Sequence, residues 1–525
     1  MHTILPFFLA MIAVIVLLEM WAAKLKIAYP ILLVVGGLLI SFIPGLPAVS
    51  VNPDLIFLIF LPPLLFEASW SISFKEMKKW WRIITSFAFL VVFFTALSVA
   101  VAANYFLPGF TIALGFLLGG IVSPPDAIST AALTKFVKVP RSMSAILEGE
   151  SLLNDASSLI IFRFAMITVG TGQFIWQEAA TSFLWMVIGG AATGLLLARL
   201  FVEVHKRLPT TVTSDIALTL IEPYIMYWLA EEMHCSGVLA VVSGGLYMSA
   251  KRLVFLNSGS RLSAYNVWDS LVFILNGVVF LIIGLELPEI VDGLRADGTP
   301  LHTAIGYGVL ITVVLIVARM ISSYAAMLAT MIFRPQVQPR TTGRFGAFLL
   351  PLVLGWTGMR GVVSLAAALS IPVMLDSSRV AFPQRNLILF ITFVCILLTL
   401  VIQGLTLPYF IKRTGVFKDI ENDDTSELTR QQMKSGLKQH IHGYLREKYE
   451  PGHPVADKLL HMWEEKAKAN NDSRMTQETK AIFKELLECQ RKYLTELNKD
   501  PAIDEDIIRE QLYQIDLEEE RLKII

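Results

Sequence analysis

From the amino end to about residue 411, apolar residues come in blocks of roughly 20, the length a helix needs to cross a bilayer core. A sliding hydropathy window predicts about thirteen spans. They lie near residues 3–22, 27–46, 53–71, 81–106, 110–134, 143–169, 176–203, 212–231, 236–250, 266–287, 302–333, 345–375 and 385–411. The ninth is short and the eleventh and twelfth are long, so tilt or breakage is expected there. The first block looks like a signal-peptide core, but Glu19 lies inside it and no small-residue cleavage site follows. It is read as a span.

The polar stretches between the blocks test this count independently. Lys24 and Lys26 follow the first block, Lys75, Lys78, Lys79 and Arg82 flank the third, and Lys135, Lys138 and Arg141 follow the fifth. Lys206 and Arg207 follow the seventh, Lys251, Arg252 and Arg261 the ninth, Arg334, Arg340 and Arg344 the eleventh, and Lys412, Arg413 and Lys418 the last. The even-numbered connections hold only Arg295, Arg379 and Arg385. Positive charge marks the cytoplasmic side. The amino terminus is therefore expected outside and the carboxy-terminal tail inside.

Composition agrees, with 54% hydrophobic and 17% charged residues over 525. Nearly half of the Lys and Arg fall within Lys412–Ile525, so what precedes is more apolar than the average. The chain divides at about residue 415, with 1–415 in the membrane and 416–525 a soluble, mostly helical tail. Ala456–Ala469 and Thr476–Leu497 combine charge with Leu, Ile, Phe and Trp at helical spacing. Four histidines in the tail, His440, His442, His453 and His461, titrate near neutrality, but solvated surface positions are the simpler reading. Cys235, Cys395 and Cys489 lie too far apart in sequence for a disulfide framework or metal cluster and read as packing residues.

Two blocks carry helix breakers. The fifth contains Gly119-Gly120 and then Pro124-Pro125, and prolines leave carbonyls four residues back without donors. In hydrocarbon such carbonyls need protein, water or an ion, so an unwound stretch beside a cavity is expected with Asp126 at its edge. The twelfth is interrupted over Gly355–Gly361. Fifth and twelfth are an odd number of spans apart and cross in opposite directions. This fits two inverted six-helix repeats, spans one to six and eight to thirteen, with the site where the broken helices meet. No nucleotide-binding loop is present, which favours a gradient-driven carrier over a pump.

Ionisable residues inside a span are costly and usually functional. Glu150, Ser151, Asn154 and Asp155 fall in the sixth block; Glu150 and Asn154 stack on one helix face, Ser151 and Asp155 on the next. Asp155, Asp126, the Ser151 hydroxyl and a freed carbonyl near Pro125 make an oxygen cage suited to Na+ or Li+. No His or Cys accompanies them, and neither a transition metal nor a resident cofactor is expected. Two carboxylates in low dielectric cannot both stay ionised cheaply. Either a proton or a monovalent cation relieves that cost, and competition between the two suffices for exchange. Arg360 is expected to pair with Glu150, and Arg163 and Arg319 are further candidates for structural pairs. Glu67, in the third block, could line the cavity. Glu19, Glu222, Asp269 and Glu286 lie nearer block ends and are expected at the interface.

Pro62-Pro63-Leu-Leu-Phe66-Glu67-Ala68, Ser123-Pro-Pro-Asp126-Ala, Gly149-Glu150-Ser151-Leu-Leu-Asn154-Asp155-Ala156 and Gly358-Met-Arg360-Gly361 together resemble the sodium/proton exchanger branch of the monovalent cation:proton antiporters. The spacing of the two aspartates, 155 − 126 = 29, is similar to the family's. The resemblance covers residues 1–415. It implies an all-α polytopic membrane protein of about 13 helices with crossed broken helices, usually a homodimer, moving a core domain against a dimerisation domain. It implies Asp155 as cation and proton carrier, Asp126 as second carboxylate, Ser151 as ligand and Glu150 with Arg360 as a structural pair. Asn154 before Asp155 is similar to the branch that exchanges one cation for one proton without net charge. Pro-Pro-Asp-Ala stands where many animal members have Asp-Pro-Val-Ala.

The expected protein is thus a carrier of Na+, Li+ or K+ against H+ in the plasma membrane. It serves pH homeostasis, has no nucleic-acid partner, and carries a tail that regulates it or binds a regulator. A channel or proton-conducting sensor and an organic-anion symporter are the rival readings.

Overall fold

The computed structural model describes residues 4–43, 53–72, 74–126, 141–256, 258–333, 343–375, 381–414 and 517. The expectations for residues 415–525, apart from Leu517, and for Lys135, Lys138, Arg334 and Arg340 lie outside them. Among the described residues the chain is helical, with one isolated bridge between Met374 and Ala381. The first helices are α1 (Ile4–Leu25), α2 (Tyr29–Ser41), α3 (Pro53–Ser71), α4 (Phe74–Thr85), α5 (Val92–Phe106) and α6 (Ile112–Val122). Next come α7 (Arg141–Thr171), α8 (Trp176–Arg207), α9 (Val212–Glu232), α10 (Gly237–Phe255), α11 (Ser258–Leu285) and α12 (Leu287–Ala296). The last are α13 (Leu301–Phe333), α14 (Gly343–Trp356), α15 (Val362–Leu369), α16 (Arg385–Leu398) and α17 (Gly404–Thr414). π-Helical turns at Ser86–Val91 and Thr399–Gln403 join α4 to α5 and α16 to α17.

Each expected apolar block coincides with a helix or a pair of helices among the described residues. Among the described residues seven helical stretches are long and apolar enough to cross a membrane, and three shorter apolar helices accompany them. One element was not expected. Residues 287–296 form the separate amphipathic helix α12, started by Pro288 in its first turn, which suits a fixed φ and a missing N–H.

The outward faces are as apolar as the core. On α1, Leu9, Leu17, Met20 and Trp21 are exposed, and on α8 so are Trp185, Ile188, Leu196 and Leu200. Hydrocarbon is the environment in which such faces are stable. Inside, one large apolar cluster joins residues of α1, α2, α5, α6, the later half of α11 and α12 to α17, and a second joins residues of α3, α8 to α10 and the start of α11. Leu152 and Ala156 of α7 belong to the second cluster and Phe162 and Ala165 to the first, so α7 bridges the two.

Close helix approach is built from small residues. A Cβ on Gly115 would stand 2.6 Å from the Ala100 carbonyl oxygen, and one on Gly119 would stand 2.5 Å from that of Ala96. This pattern of small residues four apart lets the backbones of α5 and α6 touch. The prolines of α3 show how freed carbonyls are satisfied: Pro63 cannot donate to Ile59, and the Tyr224 hydroxyl of α9 donates to that oxygen instead, at 3.1 Å.

Candidate functional site

Helix α6 starts on Thr111, whose hydroxyl accepts from Leu114 N–H, and ends at Val122, just before Pro124-Pro125. The chain then runs non-helically to Asp126. Helix α14 ends at Trp356 and α15 begins at Val362, leaving Thr357–Gly361 as the second break. The two breaks touch. Asp126 N–H donates to the Met359 carbonyl at 2.7 Å. A Cβ on Gly361 would lie 2.6 Å from the Asp126 carboxyl carbon, so a side chain there would have to displace that carboxyl.

Helix α7 lies against α6 and brings its polar run to the first break. The Ser151 hydroxyl is 3.4 Å, and the Asn154 amide nitrogen 3.3 Å, from the Pro125 carbonyl oxygen, and both side chains donate to it. Asp155 is buried, Asp126 is half-buried, and the two carboxyls interact electrostatically. Asn154 Oδ1 and Ser123 Oγ are also buried with no hydrogen-bond partner. Further along α7, Ser157 donates to Ala88 O at 2.5 Å, reaching a carbonyl of the π-turn, and Ser158 donates to Asp155 O at 3.0 Å. Ser151 and Asn154 thus meet on the Pro125 carbonyl, and Asp155, next to Asn154 on α7, is brought within electrostatic range of Asp126, which follows Pro125. Glu67 does not join them. It is half-buried on α3, and its electrostatic neighbours are Asp269 and Glu148.

The expected Glu150–Arg360 pair is corrected. Arg319 of α13 takes both carboxylate oxygens of Glu150, at 2.8 and 3.1 Å, with both side chains buried. Gly358 makes room for it, because a Cβ there would lie 2.4 Å from Arg319 Cδ. A two-pronged guanidinium matches a carboxylate, so Arg319 is the hydrogen-bonded partner of Glu150, while the Glu150 charge also acts on Arg360. Arg360 is buried beside it, with Nε and Nη1 lacking a hydrogen-bond partner, and its backbone N–H donates to Thr399 Oγ1 at 3.1 Å. The guanidiniums of Arg360 and Arg319 act on one another electrostatically.

Other intramembrane charges also find partners. Arg163 pairs with Glu231, whose second oxygen accepts from Gly237 N–H at 3.0 Å, in accord with a structural role. Glu222 and Glu286, expected at the interface, are buried. Glu222 belongs to a cluster with His205 and Asp215 that the sequence reading missed. The available signal was the spacing of Asp215 and Glu222, seven residues and thus two turns apart on one face of α9.

A family model described as "Sodium/hydrogen exchanger, transmembrane" matches residues 10–413. The chain belongs to that family. It is a multi-pass membrane transporter of monovalent cations and protons, and not an enzyme. An Na+/H+ exchanger of Mycobacterium tuberculosis is 28% identical over 98% of this chain and 95% of its own. A sodium, potassium, lithium and rubidium/H+ antiporter of Bacillus subtilis is 32% identical over 73% of this chain and 57% of its own. The solved structure of the sodium proton antiporter MjNhaP1 from Methanocaldococcus jannaschii superposes with a TM-score of 0.60 at 18% identity, covering 77% of this chain and 97% of that one. That likeness shows the fold: all-α and polytopic, with interrupted helices meeting at the centre.

Proposed function

We propose that this exchanger moves Na+, or Li+ or K+, against H+ one for one at the Asp126–Asp155 pair. The observation that carries the reading is the Pro125 carbonyl, which immediately precedes Asp126 and takes hydrogen bonds from Ser151 and Asn154, the neighbour of Asp155. A carbonyl freed by helix breakage, two carboxyls and a hydroxyl are hard oxygen donors of the type alkali cations prefer. Asn154 Oδ1 and Ser123 Oγ, buried and without a hydrogen-bond partner among the described residues, are further oxygen acceptors on the two segments that build the site.

Exchange follows from charge. The empty site holds two carboxylates in a buried setting, which is costly to carry through the membrane interior. Binding one cation or one proton leaves the same net charge of minus one, so both loaded forms cross with equal charge and the cycle is electroneutral. Asn154 adds no charge to this balance. Arg319 neutralises Glu150 and keeps a third carboxylate out of it. The cation range of the Bacillus subtilis relative supports keeping Li+ and K+ beside Na+. We further propose, from the alternation of Lys and Arg along the chain, that the amino terminus lies outside and the tail from about residue 416 is cytoplasmic, and, from the family resemblance, that the protein is a homodimer in the plasma membrane with a regulatory tail.

The test is proton flux in proteoliposomes on adding sodium, with and without a potential clamped by valinomycin and potassium. The expected result is exchange that ignores the potential and disappears in Asp155→Asn. Persistent exchange in Asp155→Asn, or a rate strongly altered by the potential, overturns it.

A further inference from the structure

We propose that His205, Asp215 and Glu222 form a second proton-binding centre, separate from the aspartate pair, whose proton holds α8, α9 and α11 together. His205 lies near the end of α8, and Asp215 and Glu222 lie on α9. The three residues are 3%, 2% and 0% exposed. His205 Nδ1 is 2.9 Å from Asp215 Oδ1, and Nε2 is 2.8 Å from Glu222 Oε1. The second oxygen of Asp215 accepts from Ser260 Oγ of α11 at 2.7 Å, while the second oxygen of Glu222 is buried with no partner.

Proton counting decides what this geometry requires. A neutral imidazole carries one N–H and one lone pair. With both carboxylates ionised, that lone pair would face a carboxylate oxygen at hydrogen-bond distance in a buried site. The closed arrangement therefore needs one proton more than neutral His205 with two carboxylates: either an imidazolium, or a neutral imidazole against a protonated carboxyl. Asp215 accepts from the Ser260 hydroxyl and from Thr210, which favours its ionised form, whereas Glu222 has His205 alone, so the added proton is assigned between Nε2 and Glu222.

Nothing else competes for this role. The charges acting on His205 are those of Asp215 and Glu222, whereas the charge acting on Asp155 is that of Asp126. On His205's own helix, Arg207 is exposed and bonded to Glu203. From α10 it is the Phe255 ring that faces the imidazole, at 5.1 Å, while Lys251 and Arg252 are exposed. From α11, Arg261 donates to Leu256 O, and Trp268 donates to Thr219 of α9 at 3.2 Å. The same Trp268 packs against Phe66 with ring centroids 5.2 Å apart, next to Glu67, so the centre is packed onto the helix that carries that carboxyl.

A folded state that binds more protons than the opened one loses stability as pH rises. The test uses the full-length chain carrying Asp155→Asn, which removes the carrier carboxylate, with thermal unfolding followed in detergent from about pH 6 to about pH 9. The expected result is a midpoint that falls by roughly 3–8 °C with rising pH, and a flat profile once Glu222→Gln supplies a permanent amide donor. An unchanged slope in the double variant, or no slope in Asp155→Asn alone, overturns the proposal. If Glu222→Gln does not fold, histidine-labelled wild type is titrated by solid-state NMR, with the His205 signal assigned by its loss in His205→Gln. Proton loss at Nε2 that tracks the fall in midpoint supports the centre; an imidazole unchanged across that fall overturns it.

Discussion

The backbone N–H of Asp126 donates to the carbonyl of Met359 at 2.7 Å, so the two interrupted helices are tied to each other at the residue that bears one of the site carboxyls. Neither break has its full set of helical hydrogen bonds, and part of what each lacks is supplied by the other or by α7. The site carboxyl and the crossing are thus one construction, and disturbing the crossing should disturb the ion.

Gly361→Ala tests that link. Its Cβ would stand 2.6 Å from the carboxyl carbon of Asp126, closer than packed atoms tolerate. The substitution should push the carboxyl aside and lower the sodium-driven exchange rate by roughly 10- to 100-fold, the scale of a displacement of about 1 Å in a positioned group. Exchange assays on reconstituted protein of normal size-exclusion profile provide the check.

Arg319→Met should destabilise the chain by about 3–5 kcal/mol, because it strands the Glu150 carboxylate in the interior. Adding Glu150→Gln should restore much of the loss, whereas it should do little for Arg360→Met. Thermal unfolding of the single and double variants measures the coupling. A larger coupling of Glu150 to Arg360 than to Arg319 would contradict the pairing seen here.

Ser151→Ala removes one donor to the Pro125 carbonyl and one oxygen from the proposed cage. The expected effect is a rise of roughly 5- to 10-fold in the half-saturating sodium concentration, equivalent to a single hydrogen bond of about 1–1.4 kcal/mol. The maximal rate should change less, and the protein should remain folded. Sodium titrations of proton release read both quantities.

Competition sets the pH dependence. Ligands must lose their proton before they bind a cation. In the acid range, where the site is mostly protonated, each pH unit lowered should therefore raise the half-saturating sodium concentration by about tenfold for one-for-one exchange. Saturating sodium should recover the rate. A slope nearer two decades per pH unit would point to two protons and an exchange that moves net charge.

Much of this protein was legible from residue order because a bilayer leaves few choices. Backbone groups in hydrocarbon must bond internally, so long apolar blocks become helices, and Pro124-Pro125 and Gly355–Gly361 mark the places where they cannot. Asp126, Ser151 and Asp155 stood out for the same reason, since polar side chains in such blocks must earn their place. What residue order left open was which partners meet. Glu150 had two buried arginines to choose from, one on α13 and one in the second break, and Arg319 takes the hydrogen bonds where Gly358 leaves it room. Glu222 read as interfacial because it was placed nearer the end of its apolar block. Only the packing of α8 and α11 against that helix buries it on His205. Helical spans are set by local hydropathy and backbone chemistry, which a window along the chain can read. Ion pairs and proton sites are set by the depth and facing of side chains on helices far apart in sequence, and those exist only once the bundle has closed.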